Sequence, residues 1–263
     1  MSVAYEFIRV ETGPVARVTL ARPQARNAMG AATLQELAEA FRTLAKDEAL
    51  RAVIVTGEGK DFCAGADVEW MRAGGRMAPE AGKRDARLFA DMLRAVDDCP
   101  VPVIVAAHGA VFGGGLGLLA ACDVALLAEG AKLCFSEVRL GIMPAVISAW
   151  VLPKIGVANA RRWYLTAEVF GAGEAVAMGL AHEAVPAAEL TPRVEAVAAA
   201  VLKNGPLAVR AAKAAIPRLA RATPDERVEL AVETLVRLRS GPEGQEGLSA
   251  FLEKRPASWV PKP

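Results

Sequence analysis

The sequence has few of the residues from which metal sites and nucleophilic centres are built. Its 263 residues include only two histidines and four cysteines. Neither His108 nor His182 has a second histidine or a cysteine at metal-ligand spacing, and no G-x-S-x-G elbow or Walker A loop occurs. We therefore expect no metal, and chemistry that depends on neither a serine nucleophile nor a phosphate-binding loop of that kind.

The cysteines are also poorly placed for disulfide or redox chemistry. None of Cys63, Cys99, Cys122 and Cys134 forms a C-x-x-C pair, and residues 1–10 lack a cationic stretch followed by an apolar one. This pattern predicts a reducing, cytoplasmic compartment. Cys63 could be considered as a nucleophile, but no histidine lies near it in sequence, and a small residue that fills a tight turn is the favoured interpretation.

The chain has almost no excess charge and few aromatic residues. Thirty-one Lys and Arg residues against 30 Asp and Glu leave a net charge of +1, so no broad basic field is present to hold nucleic acid or an anionic membrane. The longest run of low charge, residues 101–122, contains His108 and several glycines and is closed by Asp123. Such a run is typical of a buried strand, a loop and a helix start, so we expect neither nucleic acid nor membrane as a partner.

Short apolar segments alternate with helical patterns over the first 200 residues, which predicts an α/β core. Residues 15–20 alternate in hydrophobicity as an edge or half-buried strand does, whereas residues 52–56 and 101–107 are continuous apolar runs typical of strands covered on both faces. Thr33 followed by Glu36 predicts a capping box at the start of the first long helix.

The character of the sequence changes after Glu189 to long helical patterns without a further strand. Gly205-Pro206, Thr223-Pro224 and Gly241-Pro242 interrupt these patterns. We predict two units, a core of residues 1–200 and a helical module of residues 201–263. The apolar faces of the module cover either the core or a neighbouring subunit.

The first of three candidate loops, Phe62 to Val68, follows the strand at residues 52–56. The small residues at positions 63–66 let a ligand approach the backbone, and Asp67 suits the N-cap of the next helix. Backbone N–H groups at such a helix start are free to donate. A tight strand-to-helix turn without a function explains the segment equally well.

The second candidate loop, Phe112 to Leu118, contains four glycines in the five positions 113–117. So much glycine is entropically costly unless the backbone must come close to another group, and a helix that begins here points its positive end at that group. One interpretation is an oxyanion site, in which the N–H of Gly114 pairs with that of Ala66 to stabilise an enolate oxygen.

A second interpretation of the same loop is a dinucleotide site. Residues 115–120 match the fingerprint G-x-G-x-x-A, and Glu137 follows at roughly the expected distance. Against it, a long loop separates the fingerprint from its strand.

The third candidate loop, Phe135 to Pro144, carries Glu137 in an otherwise apolar stretch. Desolvation there would raise the pKa of the carboxyl toward a value useful for an acid or base. The alternative is an exposed loop carboxylate paired with Arg139.

In this order, the three loops resemble the crotonase (enoyl-CoA hydratase/isomerase) superfamily, and the likeness covers nearly the whole chain. The resemblance implies a spiral of ββα units, a C-terminal helical trimerisation module, and a trimer or a hexamer built as a dimer of trimers. It implies no cofactor, because coenzyme A is part of the acyl-CoA substrate. The likeness rests on Ala21-Arg22-Pro23, Arg26-Asn27-Ala28, Phe62 to Val68, Gly109 to Asp123, and Glu246 to Arg255.

The resemblance also implies roles for individual residues. Ala66 and Gly114 supply the two oxyanion-hole N–H groups, and Glu137 stands where the family has its proton-transferring glutamate. The residues expected to line or bind coenzyme A are Ala64, Gly65, Asp67 and Val68 of the first loop, Arg26 and Ala28, Lys60, and Lys254 from a neighbouring subunit.

One position departs from the family pattern. Two-glutamate hydratases carry their other glutamate three residues after the central glycine of the loop, where this chain has Gly117. Single-glutamate members of the superfamily include enoyl isomerases. The loop at 113–117, the segments 135–141 and 144–148, and Pro242 to Gly247 resemble bacterial proteins assigned as methylglutaconyl-CoA hydratases of leucine breakdown.

We therefore expect an enoyl-CoA hydratase-type lyase that acts on methylglutaconyl-CoA or another branched enoyl chain. The alternative within enzymes is double-bond isomerisation with Glu137 as the proton shuttle. The alternative outside enzymes is an RNA-associated protein of the same fold, against which the neutral charge and the absence of an aromatic-interleaved basic stripe argue.

Overall fold

The structure, a computed structural model, describes residues 5–261. Strands and helices alternate up to residue 189, and only helices follow within that range. The strands are β1 (Ile8–Glu11), β2 (Val15–Leu20), β3 (Ala52–Gly57), β4 (Val103–Ala107), β5 (Ala110–Phe112), β6 (Val124–Ala128), β7 (Lys132–Cys134), β8 (Phe170–Gly171) and β9 (Glu183–Val185). The helices are α1 (Ala31–Leu44), α2 (Val68–Gly74), α3 (Pro79–Asp97), α4 (Gly114–Ala121), α5 (Ser148–Thr166), α6 (Ala172–Ala177), α7 (Leu190–Leu202), α8 (Pro206–Arg221), α9 (Pro224–Ser240) and α10 (Pro242–Leu252).

Two sheets form the core. The larger has the order β1-β2-β3-β4-β6-β9, with β1 antiparallel to β2 and all other neighbours parallel. The smaller has the order β5-β7-β8, in which β5 and β7 are parallel and β8 is antiparallel. The α/β class expected from the sequence is confirmed.

The continuous apolar runs belong to strands covered on both faces. In β3, Val53 and Val55 pack into the main core with α1 and α3, whereas Ala52 and Ile54 face a second core that includes Leu190 of α7. β4 divides its side chains between the same two cores. The side chains of β2 alternate between buried and partly exposed, as expected. Strand β2 is nevertheless an inner strand of the sheet, since β1 lies outside it.

The capping box expected at Thr33 is wrong. Helix α1 begins three residues earlier than expected, with Gly30 as its N-cap, and Thr33 is buried inside the helix. The Glu36 carboxylate instead accepts hydrogen bonds from the backbone N–H groups of Glu6 and Phe7, both at 2.8 Å. A contact with the segment before β1 thus takes the carboxylate that local spacing assigned to the cap.

The C-terminal helices divide into two groups. Helix α7 packs on the larger sheet, whereas α8, α9 and α10 pack on one another and break at the three expected dipeptides. Within residues 5–261 no helix is both long and apolar enough to cross a membrane. The large apolar side chains that α8 to α10 leave exposed are Leu207, Ile216, Val228, Val232, Leu235, Val236, Leu248, Phe251 and Leu252.

Candidate active site

The loop between β3 and α2 is extended around Ala66 and is held there by Met29. The N–H of Met29 donates to Gly65 O, and Met29 O accepts from the N–H of Asp67, both at 2.9 Å. Because successive N–H groups of an extended chain point to opposite sides, the N–H of Ala66 points away from Met29. No backbone acceptor among residues 5–261 takes it.

The same loop packs directly on the glycine loop. Cys63 N–H donates to Ala110 O at 3.0 Å, and Cys63 O accepts from the N–H of Phe112 at 2.9 Å. Gly65 has a φ of +108°, and a Cβ built on it would lie 3.1 Å from Phe112 O and 3.7 Å from Gly114 N. Only glycine permits this approach, which brings the two backbone segments of the expected oxyanion site together.

Gly114 is the first residue of α4, so its N–H has no carbonyl one helical turn earlier within the helix. The preceding Gly113 has φ 45° and ψ −112°, a conformation that disfavours any residue with a side chain. A Cβ on Gly114 would lie 2.6 Å from Phe89 Cζ, so the phenyl ring closes one side of the helix start. The free N–H is thus presented at the positive end of α4.

Both loops open into a cavity of about 560 Å³. Ala66, Gly114 and Glu137 all line it, so the structure brings the three expected catalytic positions to one space. Part of its wall comes from α2 and α3 and another part from the segment before α5. The remaining lining residues are Trp70, Met71, Gly74, Gly82, Asp85, Ala86, Phe89 and residues 142–147.

Glu137 begins a short 3-10 turn, Glu137–Leu140, directly beside the glycine loop. A Cβ on Gly113 would lie 3.1 Å from Glu137 Oε1, while Oε2 is buried and finds no hydrogen-bond partner among the described residues. Burial raises the pKa of the Glu137 carboxyl above its usual range. The guanidinium of Arg139 donates to Ala167 O instead of pairing with Glu137, so the interpretation as an exposed, paired loop carboxylate is wrong.

Most of the residues expected to bind coenzyme A lie in or near the first loop. Some of their side chains are held by hydrogen bonds, and others are exposed. The Arg26 Nε donates to Asp61 Oδ2 at 2.7 Å, which fixes its guanidinium near the loop. The side chains of Lys60 and Val68 are exposed. Asp67 caps α2 by accepting from the N–H of Glu69 at 3.0 Å, so its carboxylate has a structural task.

Ala28 and Ala64, which are also expected to line the coenzyme A site, are held by backbone hydrogen bonds. Ala64 N–H donates to Arg26 O at 2.9 Å, and Ala28 N–H donates to Ala25 O at 3.0 Å. Lys254 is exposed just after α10, outside the helix.

Close packing argues against both a dinucleotide site at the glycine loop and a nucleophilic role of Cys63. The fingerprint glycines lie inside α4, where a Cβ on Gly115 would meet Cys63 O at 2.8 Å and one on Gly117 would overlap Ile147 Cγ2. No room is left there for a pyrophosphate, so the dinucleotide interpretation is wrong. Burial raises the pKa of Cys63 to about 12, and its thiol donates to Asn27 O at 3.1 Å, so it is a packed thiol.

The histidines have structural partners as well. The Nε2 of His108 lies 3.0 Å from Gly59 O, and the Nδ1 of His182 accepts from the N–H of Ala125 at 3.0 Å. Over residues 5–261 no group of three His, Cys, Asp or Glu side chains is placed to hold a metal ion.

Sequence reasoning did not assign roles to Asn27, Phe89 or Ile147. Asn27 is buried and its amide donates to Glu58 O at 2.9 Å and Asp61 O at 2.8 Å, which ties the Arg26 segment to the loop. Ile147 packs against Gly117. For Ile147 the signal in the sequence was Gly117 itself, because a glycine that departs from the family pattern leaves room for a neighbouring side chain.

Comparisons with known proteins identify the family of the chain. The family model for enoyl-CoA hydratase/isomerase matches residues 11–262. The crotonyl-CoA hydratase of Syntrophomonas wolfei is 35% identical over 99% of this chain and 100% of its own, and the short-chain-enoyl-CoA hydratase of Clostridium acetobutylicum is 32% identical over 92% of this chain and 93% of its own.

Solved structures give the same result. An enoyl-CoA hydratase from Shewanella pealeana superposes with a TM-score of 0.92 at 34% identity, over 97% of this chain and 96% of that chain. One from Mycobacterium smegmatis gives a TM-score of 0.92 at 32% identity, over 97% of this chain and 99% of that chain. The family model and these relatives show that the chain belongs to the enoyl-CoA hydratase/isomerase family.

Proposed function

We propose that the protein is an enoyl-CoA hydratase, which adds water across the C2–C3 double bond of an enoyl-CoA thioester. The observation that carries this proposal is the buried, unpartnered Oε2 of Glu137 in the same cavity as Ala66 and Gly114. A carboxylate without a partner in an apolar cavity is costly unless a substrate or a water supplies the missing hydrogen bond.

The residues divide the reaction between them. The N–H groups of Ala66 and Gly114 donate hydrogen bonds to the thioester oxygen and stabilise the negative charge that develops on it, which makes C3 electrophilic. Glu137 takes a proton from water as the hydroxide oxygen bonds to C3, and the electron pair of the double bond passes to C2 and the thioester oxygen. The enolate then collapses, C2 takes the proton from Glu137, and the carboxylate is restored.

The substrate class that we propose is methylglutaconyl-CoA or another branched enoyl-CoA. This choice rests on the likeness of residues 135–141, 144–148 and 242–247 to proteins assigned to that reaction. The cavity, at about 560 Å³, has the size of an ordinary small-molecule site. Arg26 and Lys60 border the first loop and are the proposed contacts of the coenzyme A phosphates.

Double-bond isomerisation is the second candidate, and Gly117 is the observation that favours it. With glycine at this position, the described cavity has no second carboxylate on that side to hold a water molecule. An isomerase needs only one group that removes a proton from C4 or C2 and returns it to the other carbon, and Glu137 could serve as that group.

We also propose that the protein works as a trimer or a dimer of trimers. Helices α8 and α9 contain no buried residue, and Phe251 and Leu252 of α10 are 82% and 78% exposed. So many apolar side chains on one module are typical of a surface that another subunit covers.

A panel of enoyl-CoA esters tests the function. Loss of the absorbance of the conjugated thioester, with a 3-hydroxyacyl-CoA as the separated product, supports hydration, whereas accumulation of a shifted double bond supports isomerisation. If no ester gives a hydrated or an isomerised product, both proposed activities are contradicted. Binding to RNA that weakens steeply as salt rises would instead favour the nucleic-acid rival.

A further inference from the structure

We propose that the hydrogen bond between Trp70 and Asp85 fixes one wall of the acyl cavity and restricts the enzyme to short acyl chains. The inference rests on the proposed function and deepens it, because it names the residues that select the chain. Both side chains line the cavity that holds Glu137, yet neither belongs to the proton-transfer or oxyanion machinery.

The pair joins the two helices of that wall. The Nε1 of Trp70, in α2, donates to Oδ1 of Asp85, in α3, at 2.8 Å. A Cβ on Gly74 would lie 2.9 Å from Asp85 Oδ2, so glycine at this position lets α2 approach α3 closely. A hydrogen bond to a carboxylate is among the stronger ones in proteins, and it fixes the plane of the indole.

The start of α2 is fixed to the oxyanion loop. Asp67 Oδ1 accepts from the N–H of Trp70 at 3.3 Å, and Asp67 directly follows Ala66. The backbone of Trp70 is therefore tied to the proposed reaction centre, while its indole is tied to α3. The indole also packs against the main core and cannot turn away freely.

The position of Asp85 along α3 sets the distance to the chemistry. Phe89, one turn further along α3, is the residue that closes against Gly114. Four residues of helix correspond to ~6 Å along the axis. The Trp70–Asp85 pair thus lies about one helical turn along α3 from the ring that packs against Gly114, and in this proposal that distance accommodates a short acyl chain.

The part of the wall formed by residues 142–147 is less firmly held. Ile142 and Met143 are 49% and 58% exposed, and Met143 is an unbranched side chain that adapts to different shapes. A wall that can adapt does not set a sharp limit on chain length, so the limit falls to the wall that is fixed by a hydrogen bond.

A matched pair of substitutions separates the hydrogen bond from the shape of the wall. Asp85→Asn keeps an oxygen that accepts from the indole, whereas Asp85→Leu has a similar size and no acceptor. The measured quantity is the kcat/KM for 2-octenoyl-CoA divided by that for crotonyl-CoA. We expect Asp85→Leu to raise this ratio about tenfold, the scale of one lost hydrogen bond to a carboxylate, and Asp85→Asn to leave it nearly unchanged.

Trp70→Phe is the second probe, because it removes the donor from the other side of the pair. We expect it to raise the same ratio, and it carries the test if Asp85→Leu does not fold. An unchanged ratio in Trp70→Phe and in every folded Asp85 variant, at normal crotonyl-CoA turnover, would overturn the inference. A ratio that rises equally in Asp85→Asn and Asp85→Leu would also overturn it, since the hydrogen bond would then be irrelevant.

Calorimetric binding of butyryl-CoA and octanoyl-CoA separates this inference from the proposed function. These saturated esters cannot be hydrated, so their affinity ratio reports the cavity alone. A shift of the ratio toward octanoyl-CoA in Asp85→Leu supports the role of the pair even if no enoyl-CoA is turned over, a result that would sink the proposed function only.

Discussion

The side chain of Ile147 occupies the space into which a side chain at position 117 would project. A Cβ built on Gly117 would overlap Ile147 Cγ2 and lie 3.0 Å from Ile147 Cβ, and Leu93 Cδ1 would be 3.4 Å away. The site on this side of the cavity is apolar and filled. The position that carries a second glutamate in two-glutamate hydratases is therefore closed here, and in the proposed mechanism Glu137 acts without it.

A glutamate at position 117 needs the room that Ile147 now takes. We expect Gly117→Glu alone to destabilise the protein by about 1–3 kcal/mol, the cost of overpacking a filled interior. Combining it with Ile147→Gly should recover part of that loss. Denaturant unfolding of the two single variants and the double variant measures the coupling. Additive effects would show that the two positions do not compete for one space.

Glu137 should be essential for turnover and dispensable for binding. We expect Glu137→Gln to lower kcat by about 10²–10⁴-fold, the usual contribution of a general acid–base group. The affinity for a saturated acyl-CoA, measured by calorimetry, should change little. Glu229→Gln, at an exposed position of α9, is the control. Retained turnover in Glu137→Gln would remove the role assigned to this carboxylate.

A single carboxylate that handles both protons acts from one face of the double bond. In D₂O we therefore expect the deuteron at C2 and the new hydroxyl at C3 to be added to the same face. The relative configuration of the product, determined by NMR, checks this. Addition to opposite faces would require a second acid or base besides Glu137, and Asp85, the other carboxylate that lines this cavity, would then be the candidate.

The raised pKa of Glu137 predicts the acid side of the pH profile. The carboxylate must be ionised to take a proton from water, so kcat/KM should rise with pH through the pKa of the free enzyme. Because burial favours the neutral acid, this limb should lie above the range of an ordinary glutamate. A kcat/KM that stays constant as the pH falls to the pKa range of an ordinary glutamate would contradict the burial of the Glu137 carboxyl.

The same burial affects stability. Since the pKa is raised in the folded state, ionising Glu137 destabilises the fold, and stability falls as pH rises through that pKa. Glu137→Gln removes this cost, so we expect its Tm to exceed that of the parent at neutral pH. The difference should shrink at acidic pH, where the parent carboxyl is neutral. Equal Tm values of the parent and Glu137→Gln at both neutral and acidic pH would contradict a destabilising effect of the ionised carboxylate.

The exposed apolar surface of α8 to α10 should control assembly. We expect light scattering after gel filtration to give the mass of three or six chains. Replacing Phe251, which is 82% exposed, by Glu should shift the protein toward monomer, whereas Glu229→Gln should not. A parent protein that is monomeric at micromolar concentration would refute the proposed assembly.

Much of this site could be anticipated from local sequence, because its chemistry is carried by the backbone. Asp67 caps α2 as its residue type and position indicate, and the glycines at 113–117 mark where α4 begins. The continuous apolar runs indicated strands buried on both faces, as β3 and β4 are. These features depend on neighbouring residues or on one burial pattern.

Contacts between distant segments could not be anticipated in the same way. The Ile147–Gly117 packing, the Trp70–Asp85 hydrogen bond and the isolation of Glu137 Oε2 each depend on how separate elements cross. The capping box at Thr33 failed for the same reason, since Glu36 found a better partner in another segment. Local spacing identifies a group, whereas tertiary packing decides what that group meets.

The carbonyl stretch of a bound thioester tests the central claim most directly, because every reaction considered for this protein requires two N–H donors at the thioester oxygen. Glu137→Gln would be loaded with crotonyl-CoA labelled with ¹³C at the carbonyl, so that the ester stays unreacted while its vibrational spectrum is recorded. We expect the stretch to move to lower frequency than in water, as two donors in a dry cavity polarise the bond. A frequency equal to or higher than that in water would show that Ala66 and Gly114 do not form the oxyanion site.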